Sequence, residues 1–334
     1  MKKIMNLPEA FVDESLKGIV LAHGDMIKTV PENNRVIVIA DAPVEGKVAI
    51  VTGGGYGHLP LFLGYVGKGF CDGCAVGNVF TSPSCEAIMD TTRAVSSGSG
   101  VLYLFGNYMG DQMNFEMAAD FLADEGIETE IIRAADDVAS SPRESWQDRR
   151  GIAGILFAYK IAGALAERKL SLHDVAEGTR QACENIASFG VSFSSCQLPE
   201  AAEPIFQIGD NEMELGMGIH GEKGVKRCAM MTAEELADYM VNRVAEDLQI
   251  KEGDRLAVLV NGLGSTPLEE LYILNAQVAE KLDQLGVTTV KTFVGEYVTS
   301  MEMAGASLSI MKLNEELEQL LAEPARTPFV VVGG

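Results

Sequence analysis

The sequence predicts an α/β protein of two domains with largely parallel or mixed sheets. Short β-branched runs that end at glycine alternate with amphipathic segments of helical spacing, which is typical of parallel strands covered by helices. The chain has 334 residues, more than one small domain usually contains. The pattern changes near residue 190, so we predict domains over residues 1–190, with a glycine-rich loop, and 191–334, with a candidate substrate-binding histidine.

The first half of the chain predicts four strands and three helices. β-Branched runs bounded by glycine, proline or charge predict strands over 35–40, 47–55, 100–107 and 128–134. Helical spacing of apolar residues predicts helices over 114–127, 150–170 and 171–189. Gly126 stands where a helix-terminating glycine is expected, and Ser171 stands where an N-cap is expected.

The second half has fewer long helices. Residues 190–199 and 203–222 alternate in the manner of strands. Thr232 and Glu235 form the capping box of a helix predicted over 232–248. Residues 254–286 predict a strand, a glycine-rich turn and a helix, and "VTTVKTFVG" and "FVVVGG" predict two further strands.

Charge and composition exclude several classes of function. The formal net charge is −22, and no basic run offsets it locally, so we expect no binding to nucleic acid or to an anionic membrane surface. No apolar run is long enough to span a membrane, and the N-terminus lacks the apolar region of a secretory signal. We therefore expect a folded cytoplasmic protein.

The six cysteines are scattered, and only Cys71 and Cys74 form a C-x-x-C pair. A structural zinc site needs a second pair or histidines at ligand spacing, and a thioredoxin-type redox site has a different context. We predict that both are small buried residues, and we expect no metal in this chain.

The stretch "GGGYGH", residues 53–58, follows a predicted strand. Glycines at the carboxyl end of a strand let backbone N–H groups approach the oxygen atoms of a ligand. The stretch lacks the spacing and the basic residue of nucleotide loops, and a tight structural turn is an equally good interpretation. His58, which can donate to or accept from a hydroxyl, favours a site for polyol oxygens or phosphate.

Asp111 lies in "FGNYMGDQMNFEMA", residues 105–118, where a predicted strand leads into a helix. This position is on the carboxyl edge of the sheet, the edge expected for His58. A carboxylate there is a candidate general base toward a substrate hydroxyl that attacks phosphorus. Helix capping is the alternative role.

His220 lies in "GMGIHGEKGV", residues 216–225, between Gly218 and Gly221. Small neighbours leave the imidazole unshielded, and a neutral ring nitrogen can add to a carbonyl carbon, which would select ketones and aldehydes. The alternative is a structural histidine in a hairpin turn. For His23 and His173 we predict surface or structural roles.

Several motifs occur in order along the chain: "TGGGYGH", "NVFTSPS", "GNYMGDQMNFEMA", "RRGIAG", "GMGIHGEKG" and "LVNGLGSTPLEELYI". Together they resemble the sugar-binding K subunit of dihydroxyacetone kinase over the whole sequence. The resemblance implies a homodimer that binds its substrate covalently, as a hemiaminal on His220. Asp111 matches the proposed base toward the terminal hydroxyl, and His58 matches the histidine that hydrogen-bonds the substrate and helps catalysis. Gly55 and Ser82 match substrate-contacting positions.

The sequence departs from this family at three positions of the implied pocket. The glycine loop usually reads G-G-G-S-G-H-E-P, whereas Tyr56 here replaces the serine and Leu59 the glutamate. Gly106 replaces the lysine that usually precedes "NY". Tyr56 and Gly106 are therefore candidate substrate-binding residues, and the volume vacated at Gly106 favours a four-carbon ketose such as erythrulose.

The phosphoryl donor is expected on another chain. A kinase holds Mg²⁺ and nucleotide phosphates with clustered carboxylates, and no such cluster stands in a glycine-rich setting here. The resemblance implies a separate all-helical L subunit that carries Mg²⁺ and a nucleotide. The nucleotide is either ADP, which a phosphotransferase-system protein recharges, or ATP. A ketone-sensing coactivator that binds a transcription regulator is the alternative. A dehydrogenase is disfavoured because the dinucleotide fingerprint is missing.

Overall fold

The computed structural model describes residues 2–333 and shows two α/β units, which confirms the predicted fold class. The first unit contains the chain up to Arg133, Ala158–Gln181 and the chain from Gln319, and the second contains Ala134–Phe157 and Ala182–Glu318. The chain thus crosses between the units after residues 133, 157, 181 and 318. The sequence predicts a single boundary after residue 190, and this position falls inside a strand of the second unit.

The first unit is built on a six-stranded mixed sheet. Its strands are β1 (Ile27–Val30), β2 (Asn33–Ile39), β3 (Ala49–Tyr56), β4 (Gly73–Val79), β5 (Val101–Gly106) and β6 (Thr129–Ala134), in the order β1-β2-β4-β3-β5-β6. β3 pairs in parallel with β4 on one side and with β5 on the other. The chain therefore changes direction across the sheet at β3, and such switch points are where α/β sheets bind ligands.

The second unit contains a second six-stranded sheet. Its strands are β7 (Ile186–Ser192), β8 (Glu212–Leu215), β9 (Lys226–Ala229), β10 (Arg255–Gly262), β11 (Thr288–Gly295) and β12 (Gly305–Leu313), in the order β11-β10-β12-β7-β8-β9. β8 and β9 are antiparallel neighbours at one edge. A short pair, β13 (Ala325–Arg326) and β14 (Val331–Val332), follows near the end of the chain.

Eight α-helices surround the sheets of residues 2–333: α1 (Phe11–His23), α2 (Cys85–Val95), α3 (Met109–Ala123), α4 (Ile155–Glu167), α5 (Leu172–Glu184), α6 (Ala233–Leu248), α7 (Leu268–Gln284) and α8 (Glu315–Ala322). The predicted capping box of α6 is confirmed, because the Thr232 side chain accepts the backbone N–H of Glu235 and the Glu235 side chain accepts that of Thr232. Ser171 is confirmed as a cap, since its Oγ accepts the Asp174 N–H at 3.2 Å.

The predicted helix over 171–189 is wrong in its last residues. α5 ends at Glu184, and Ile186–Ser192 forms β7, which is buried along its whole length between β12 and β8. The apolar residues of "IASFGVS" fit the periodicity of a helix as well as that of a strand. The segment forms a strand because it pairs with two neighbouring strands. β4, whose sequence "GCAVGNV" is rich in small residues, was not predicted at all.

Helix α3 has two contrasting faces. On the inner face the ring of Phe115 stacks on Phe105 of β5, with centroids 4.2 Å apart. On the outer face, exposed apolar side chains recur every four residues: Met109, Met113, Met117 and Phe121. We refer to these four as the α3 stripe.

Within the described part of the chain, no helix is both long and apolar enough to cross a membrane.

Candidate active site

Three candidate residues follow the carboxyl ends of neighbouring parallel strands in the first sheet. His58 follows β3, Ser82 follows β4, and Asp111 follows β5. Because parallel strands end at the same edge, the fold brings these residues to one side of the sheet. We call this the first-sheet edge. Gly55 and Gly106 are the neighbouring backbone positions on β3 and β5.

The three glycines near the end of β3 are required by packing within the protein. A Cβ on Gly53 would come within 2.7 Å of the Ala75 carbonyl oxygen, and one on Gly54 would overlap the ring of Phe62. A Cβ on Gly55 would lie 2.7 Å from the backbone nitrogen of Thr81. Gly53 therefore lets β4 approach β3, Gly54 makes room for the ring of Phe62, and Gly55 lets the segment after β4 approach β3. The sequence left a tight structural turn open, but these glycines lie within a strand, and ligand contact by Gly55 stays a prediction.

The ring of His58 is held in a buried aromatic setting. Its side chain is 1% exposed and stacks on Phe80, with ring centroids 4.7 Å apart and planes 12° from parallel. Phe62 meets the same ring edge-on at 6.2 Å. Two aromatic neighbours fix the plane of the imidazole, so that hydrogen bonds from its nitrogens have defined directions.

Asp111 lies in the first turn of α3 and is 5% exposed. The N-cap residue of this helix is Tyr108, which makes no side-chain capping bond, so Asp111 does not occupy the N-cap position. Ser82 is close by, because a Cβ on Gly110 would come within 2.6 Å of its Oγ. The Asn114 amide donates to the Pro83 carbonyl at 2.7 Å and ties α3 to the segment that carries Ser82.

Tyr56 extends toward the N-terminal helix. Its hydroxyl forms a hydrogen bond with Ser15 of α1, and its ring meets Phe11 edge-on at 6.2 Å. Burial raises the pKa of this phenol, although the bond to Ser15 opposes the shift. The tyrosine that replaces the usual serine thus has half-buried partners on α1, and the predicted contact of Tyr56 with substrate remains a prediction.

His220 lies in the connection between β8 and β9, within residues 216–222, which we call the His220 loop. Its Nδ1 is 3.0 Å from a carboxylate oxygen of Glu222, and its backbone N–H donates to the other oxygen at 2.9 Å. The side chain is 22% exposed, so the ring is reachable from solvent. A cavity of about 570 Å³ adjoins this loop and includes Met217 and Gly221 in its lining.

The charge state of Glu222 determines what His220 can do. Burial raises the pKa of this carboxyl, but its hydrogen bond and attraction to His220 outweigh burial and lower the pKa to about 2. An ionised carboxylate only accepts, so Nδ1 carries the proton of the bond. In the neutral ring Nε2 then holds the lone pair, as a nucleophile requires. The motif "GMGIHGEKGV" contains Glu222, but the sequence alone predicts no role for it.

Within residues 2–333, the C-x-x-C pair and the acidic residues are not arranged as a metal site. Cys71 and Cys74 are buried thiols, and burial raises the pKa of each. This agrees with the prediction of small buried residues. Across residues 2–333, no group of three or more His, Cys, Asp or Glu side chains is arranged to hold a metal ion.

Comparison with known proteins identifies the family. Residues 17–329 match the Dak1 domain. The chain belongs to the Dak1 family. Among Dak1 relatives, the dihydroxyacetone-binding subunit DhaK of PTS-dependent dihydroxyacetone kinase 2 from Listeria innocua is 42% identical over 99% of this chain and 100% of its own length. The D-erythrulose kinase of Mycolicibacterium smegmatis is 45% identical over 98% of this chain but only 56% of its own length. The chain thus spans little more than half of that kinase.

Two solved structures share the fold. The native dihydroxyacetone kinase of C. freundii has a TM-score of 0.91 and 30% identity over 99% of this chain and 60% of its own. The dihydroxyacetone kinase operon co-activator Dha-DhaQ has a TM-score of 0.89 and 29% identity over 96% of this chain and 98% of its own. The resemblance to the K-subunit family is therefore confirmed. The fold occurs in both a kinase and a co-activator, so it does not distinguish these two roles.

Proposed function

We propose that this chain is the substrate-binding subunit of a hydroxyketone kinase. It binds dihydroxyacetone, or a short ketose such as erythrulose, through a hemiaminal on His220, and the terminal hydroxyl of the bound ketose is then phosphorylated. The observation that carries this proposal is the pairing of His220 Nδ1 with Glu222 at 3.0 Å, because it directs the lone pair to Nε2. Similarity to a dihydroxyacetone-binding subunit and to erythrulose kinases supports the substrate class.

Capture of the ketone needs no cofactor. The Nε2 lone pair forms a bond to the carbonyl carbon, the C=O π electrons move to oxygen, and that oxygen takes a proton from solvent. The imidazole becomes a cation, whose charge the Glu222 carboxylate compensates through the Nδ1–H bond. An alcohol has no carbon that can accept the lone pair, so this step selects ketones and aldehydes over polyols of the same length.

Asp111 and His58 act on the hydroxyl that receives phosphate. Asp111 accepts its proton as the oxygen attacks phosphorus, the role of a general base. His58, whose ring plane is fixed by Phe80, hydrogen-bonds the substrate and orients it. Gly55, Ser82 and Gly106 provide further contacts at the first-sheet edge. Glycine at 106 leaves room for a fourth carbon, so we expect erythrulose to be preferred over dihydroxyacetone.

The phosphoryl group comes from a separate L-type subunit. That subunit carries the nucleotide, ADP or ATP, together with Mg²⁺, and either ATP or a phosphotransferase-system protein supplies the phosphate. The substrate-binding subunit itself is a homodimer, which light scattering of the purified chain would measure. These features follow the family resemblance, and the dihydroxyacetone-binding subunits named for PTS- and PEP-dependent kinases support a separate phosphoryl donor.

The first test measures capture without turnover. Intact-mass spectrometry under native conditions should show an adduct with the full mass of the ketose, since addition to a carbonyl loses no water, whereas a lysine Schiff base would lose one. His220→Ala should abolish the adduct, and His173→Ala, on α5, should retain it. An adduct that survives in His220→Ala would refute the assignment.

The second test separates capture from transfer. With the L-type subunit of the same organism and either ATP or the phosphotransferase-system donor, Asp111→Asn should form the adduct but transfer phosphate about 10²–10⁴-fold more slowly. Asp120→Asn, on the same helix, should behave like the parent. Normal turnover by Asp111→Asn would reduce Asp111 to a structural residue of the first turn of α3. The chain alone should show no transfer from ATP.

A ketone-sensing coactivator is the second candidate function, favoured by the structural similarity to the co-activator Dha-DhaQ. A sensor needs His220 to capture a ketone but has no use for a base at Asp111. The presence of both Asp111 and His58 therefore favours the kinase. Stable binding to a transcription regulator, with no phosphate transfer when the L-type subunit is supplied, would establish the sensor instead.

A further inference from the structure

The second arginine of the motif "RRGIAG" joins three segments of the second unit. The Nε of Arg150 donates to Asp137 Oδ2 at 2.9 Å, and its Nη2 donates to the Gly216 carbonyl at 3.0 Å. The backbone N–H of Asp137 in turn donates to the Arg150 carbonyl at 3.1 Å. Gly216 is the first residue of the His220 loop, so one guanidinium links a buried carboxylate to the start of that loop.

Asp137 is a firm anchor for this guanidinium. It is fully buried, its other oxygen accepts the backbone N–H of Ala139 at 3.0 Å, and the shortest contact between its carboxylate and Arg150 is 2.6 Å. Burial raises the pKa of this carboxyl to about 6, and attraction to Arg150 opposes the rise. The preceding Asp136 accepts the N–H groups of Ile152 and Gly154, each at 2.8 Å, and so fixes the other end of the motif.

The loop itself has few backbone restraints. It is tied at its start by the Gly216 N–H to the Gly190 carbonyl at 2.7 Å, and beyond its end by the Val225 N–H to the Leu215 carbonyl at 2.8 Å. Between them lies a long hydrogen bond from Gly221 to Gly218 at 3.4 Å. Glycines lose more conformational freedom than other residues when they are ordered, so side-chain contacts must hold this segment.

Arg150 also reaches the part of the loop beside His220. A Cβ added to Gly218 would lie 3.0 Å from Nη1 of Arg150 and would overlap the Glu222 carboxylate. The guanidinium and the carboxylate that holds the imidazole thus both lie beside the Cβ position of this glycine. Arg150 therefore constrains both the start of the loop and the surroundings of Glu222.

We propose that Arg150, held by Asp137, is the positioning residue that fixes the His220 loop so that the imidazole keeps its bond to Glu222 and presents Nε2 to the ketone. This inference rests on the proposed role of His220. Arg150 acts through the Gly216 carbonyl and the surroundings of Glu222 and does not itself react. Its loss should weaken ketone capture more than it weakens the fold.

The neighbouring Arg149 provides a matched control. It is 1% exposed and forms two hydrogen bonds with Asp247, one of them at 3.0 Å, and its Nε donates to the Ser141 carbonyl at 2.8 Å. None of these partners belongs to the His220 loop. Arg149→Gln should therefore destabilise the fold at least as much as Arg150→Gln does, without a specific effect on ketone capture.

The experiment compares capture with stability in the full-length chain. The probe is dihydroxyacetone, with both erythrulose enantiomers as further arms, titrated by native mass spectrometry and calorimetry. Arg150→Gln should raise the apparent dissociation constant about 10–100-fold, as expected when a hydrogen bond to a charged group is lost. Arg149→Gln, once folded, should stay within about twofold of the parent. Arg150→Lys keeps the positive charge beside Asp137 but lacks the several N–H donors of the guanidinium. Compared with Arg150→Gln, it should recover stability more fully than affinity for the ketone.

Ring resonances of His220 give a readout that does not depend on capture. With ¹⁵N-labelled histidine, the parent should show a protonated, hydrogen-bonded Nδ1, and Arg150→Gln should lose this signature while Arg149→Gln retains it. If the parent captures no ketone, the proposed function fails and the ring resonances still test the positioning role. The inference is overturned if Arg150→Gln keeps the parent signature and affinity, or if both arginine variants lose affinity in proportion to their loss of stability.

Discussion

One carboxylate fixes both the side chain and the main chain of His220. Glu222 uses one oxygen for the ring Nδ1 and the other for the backbone N–H of the same residue. Because both bonds end on His220, rotation of the ring and movement of its backbone are restrained together. A histidine that only filled a hairpin turn would need neither bond.

This pair predicts a dependence of stability on pH. The pKa of Glu222 in the folded chain is about 2, below its ordinary value of 4.5, so the stabilising bond is fully present above about pH 4.5 and is lost as the pH falls toward 2. Glu222→Gln should lower the free energy of unfolding by about 1.5–3 kcal/mol near neutral pH, and this difference should shrink as the pH falls from about 4.5 to 2. Denaturant unfolding across that range measures it.

The exposed Glu246 of α6 offers a control for this measurement. Glu246→Gln removes one carboxylate and should leave the free energy of unfolding nearly unchanged at each pH. A difference for Glu222→Gln that stays constant down to pH 2 would show that the ionised carboxylate is not the stabilising group.

Single residues also show what a sequence can and cannot reveal. His58, Asp111 and His220 can be predicted from the sequence because they are rare or reactive side chains beside glycines. The fold places the first two at one sheet edge. The partner of Tyr56, Ser15, lies 41 residues away, and no local pattern connects them. The sequence predicts no separate role for Arg150 within its motif, because its link to Gly216 spans 66 residues.

At the scale of elements, the glycine run of β3 serves close packing between neighbouring segments. Gly55 approaches the backbone of Phe80 and Thr81, and Phe80 in turn stacks on His58. The same glycine thus determines how near the segment after β4 can lie to the candidate catalytic histidine. The position tolerates no side chain even before a ligand is considered.

We expect Gly55→Ala to destabilise the protein by about 1–3 kcal/mol, because the added methyl group must displace backbone atoms. The matched control is Gly18→Ala, in the interior of α1, where an added Cβ meets no atom within 4 Å. That change should stabilise by about 0.5–1 kcal/mol, since alanine is the better helix former. Thermal unfolding of both variants tests the pair, and equal effects would contradict the packing argument.

Some elements were predictable and others were not, for physical reasons. Strands β2, β3, β5 and β6 are apolar or β-branched runs, and α6 carries its capping box, so local sequence suffices for these. β4 consists mostly of small residues and becomes a strand because it lies between β2 and β3. β7 continues an amphipathic pattern from α5 and is a strand because β12 and β8 pair with it.

At the scale of the whole molecule, the two units are interleaved along the chain. The first unit is completed by residues from Gln319 onward, and the second begins at Ala134. Lys160 illustrates the consequence: its buried ammonium donates to the Leu320 carbonyl at 2.7 Å, across 160 residues of sequence. Composition and periodicity describe local segments only, so they predicted two domains but not this order of crossings.

Interleaving predicts that fragments cut after residue 190 will not fold independently. The cut divides β7, an interior strand of the second sheet, and separates Lys160 from its acceptor. Each fragment, 1–190 or 191–334, should lack a cooperative unfolding transition in circular dichroism, while the intact chain should show one. A cooperative transition in either fragment alone would argue for contiguous domains instead.

The α3 stripe has a chemical consequence for the protein as it ages. Thioethers react with peroxide according to their accessibility, and sulfoxides are polar where methionine is not. Met109, Met113 and Met117 are 77%, 59% and 45% exposed, whereas Met213, Met240, Met303 and Met311 are sealed in the interior. Peroxide should therefore oxidise the outer face of α3, together with the comparably exposed Met230, before the buried methionines, and should turn that face hydrophilic while both sheets stay intact, two residues from the carboxylate at position 111.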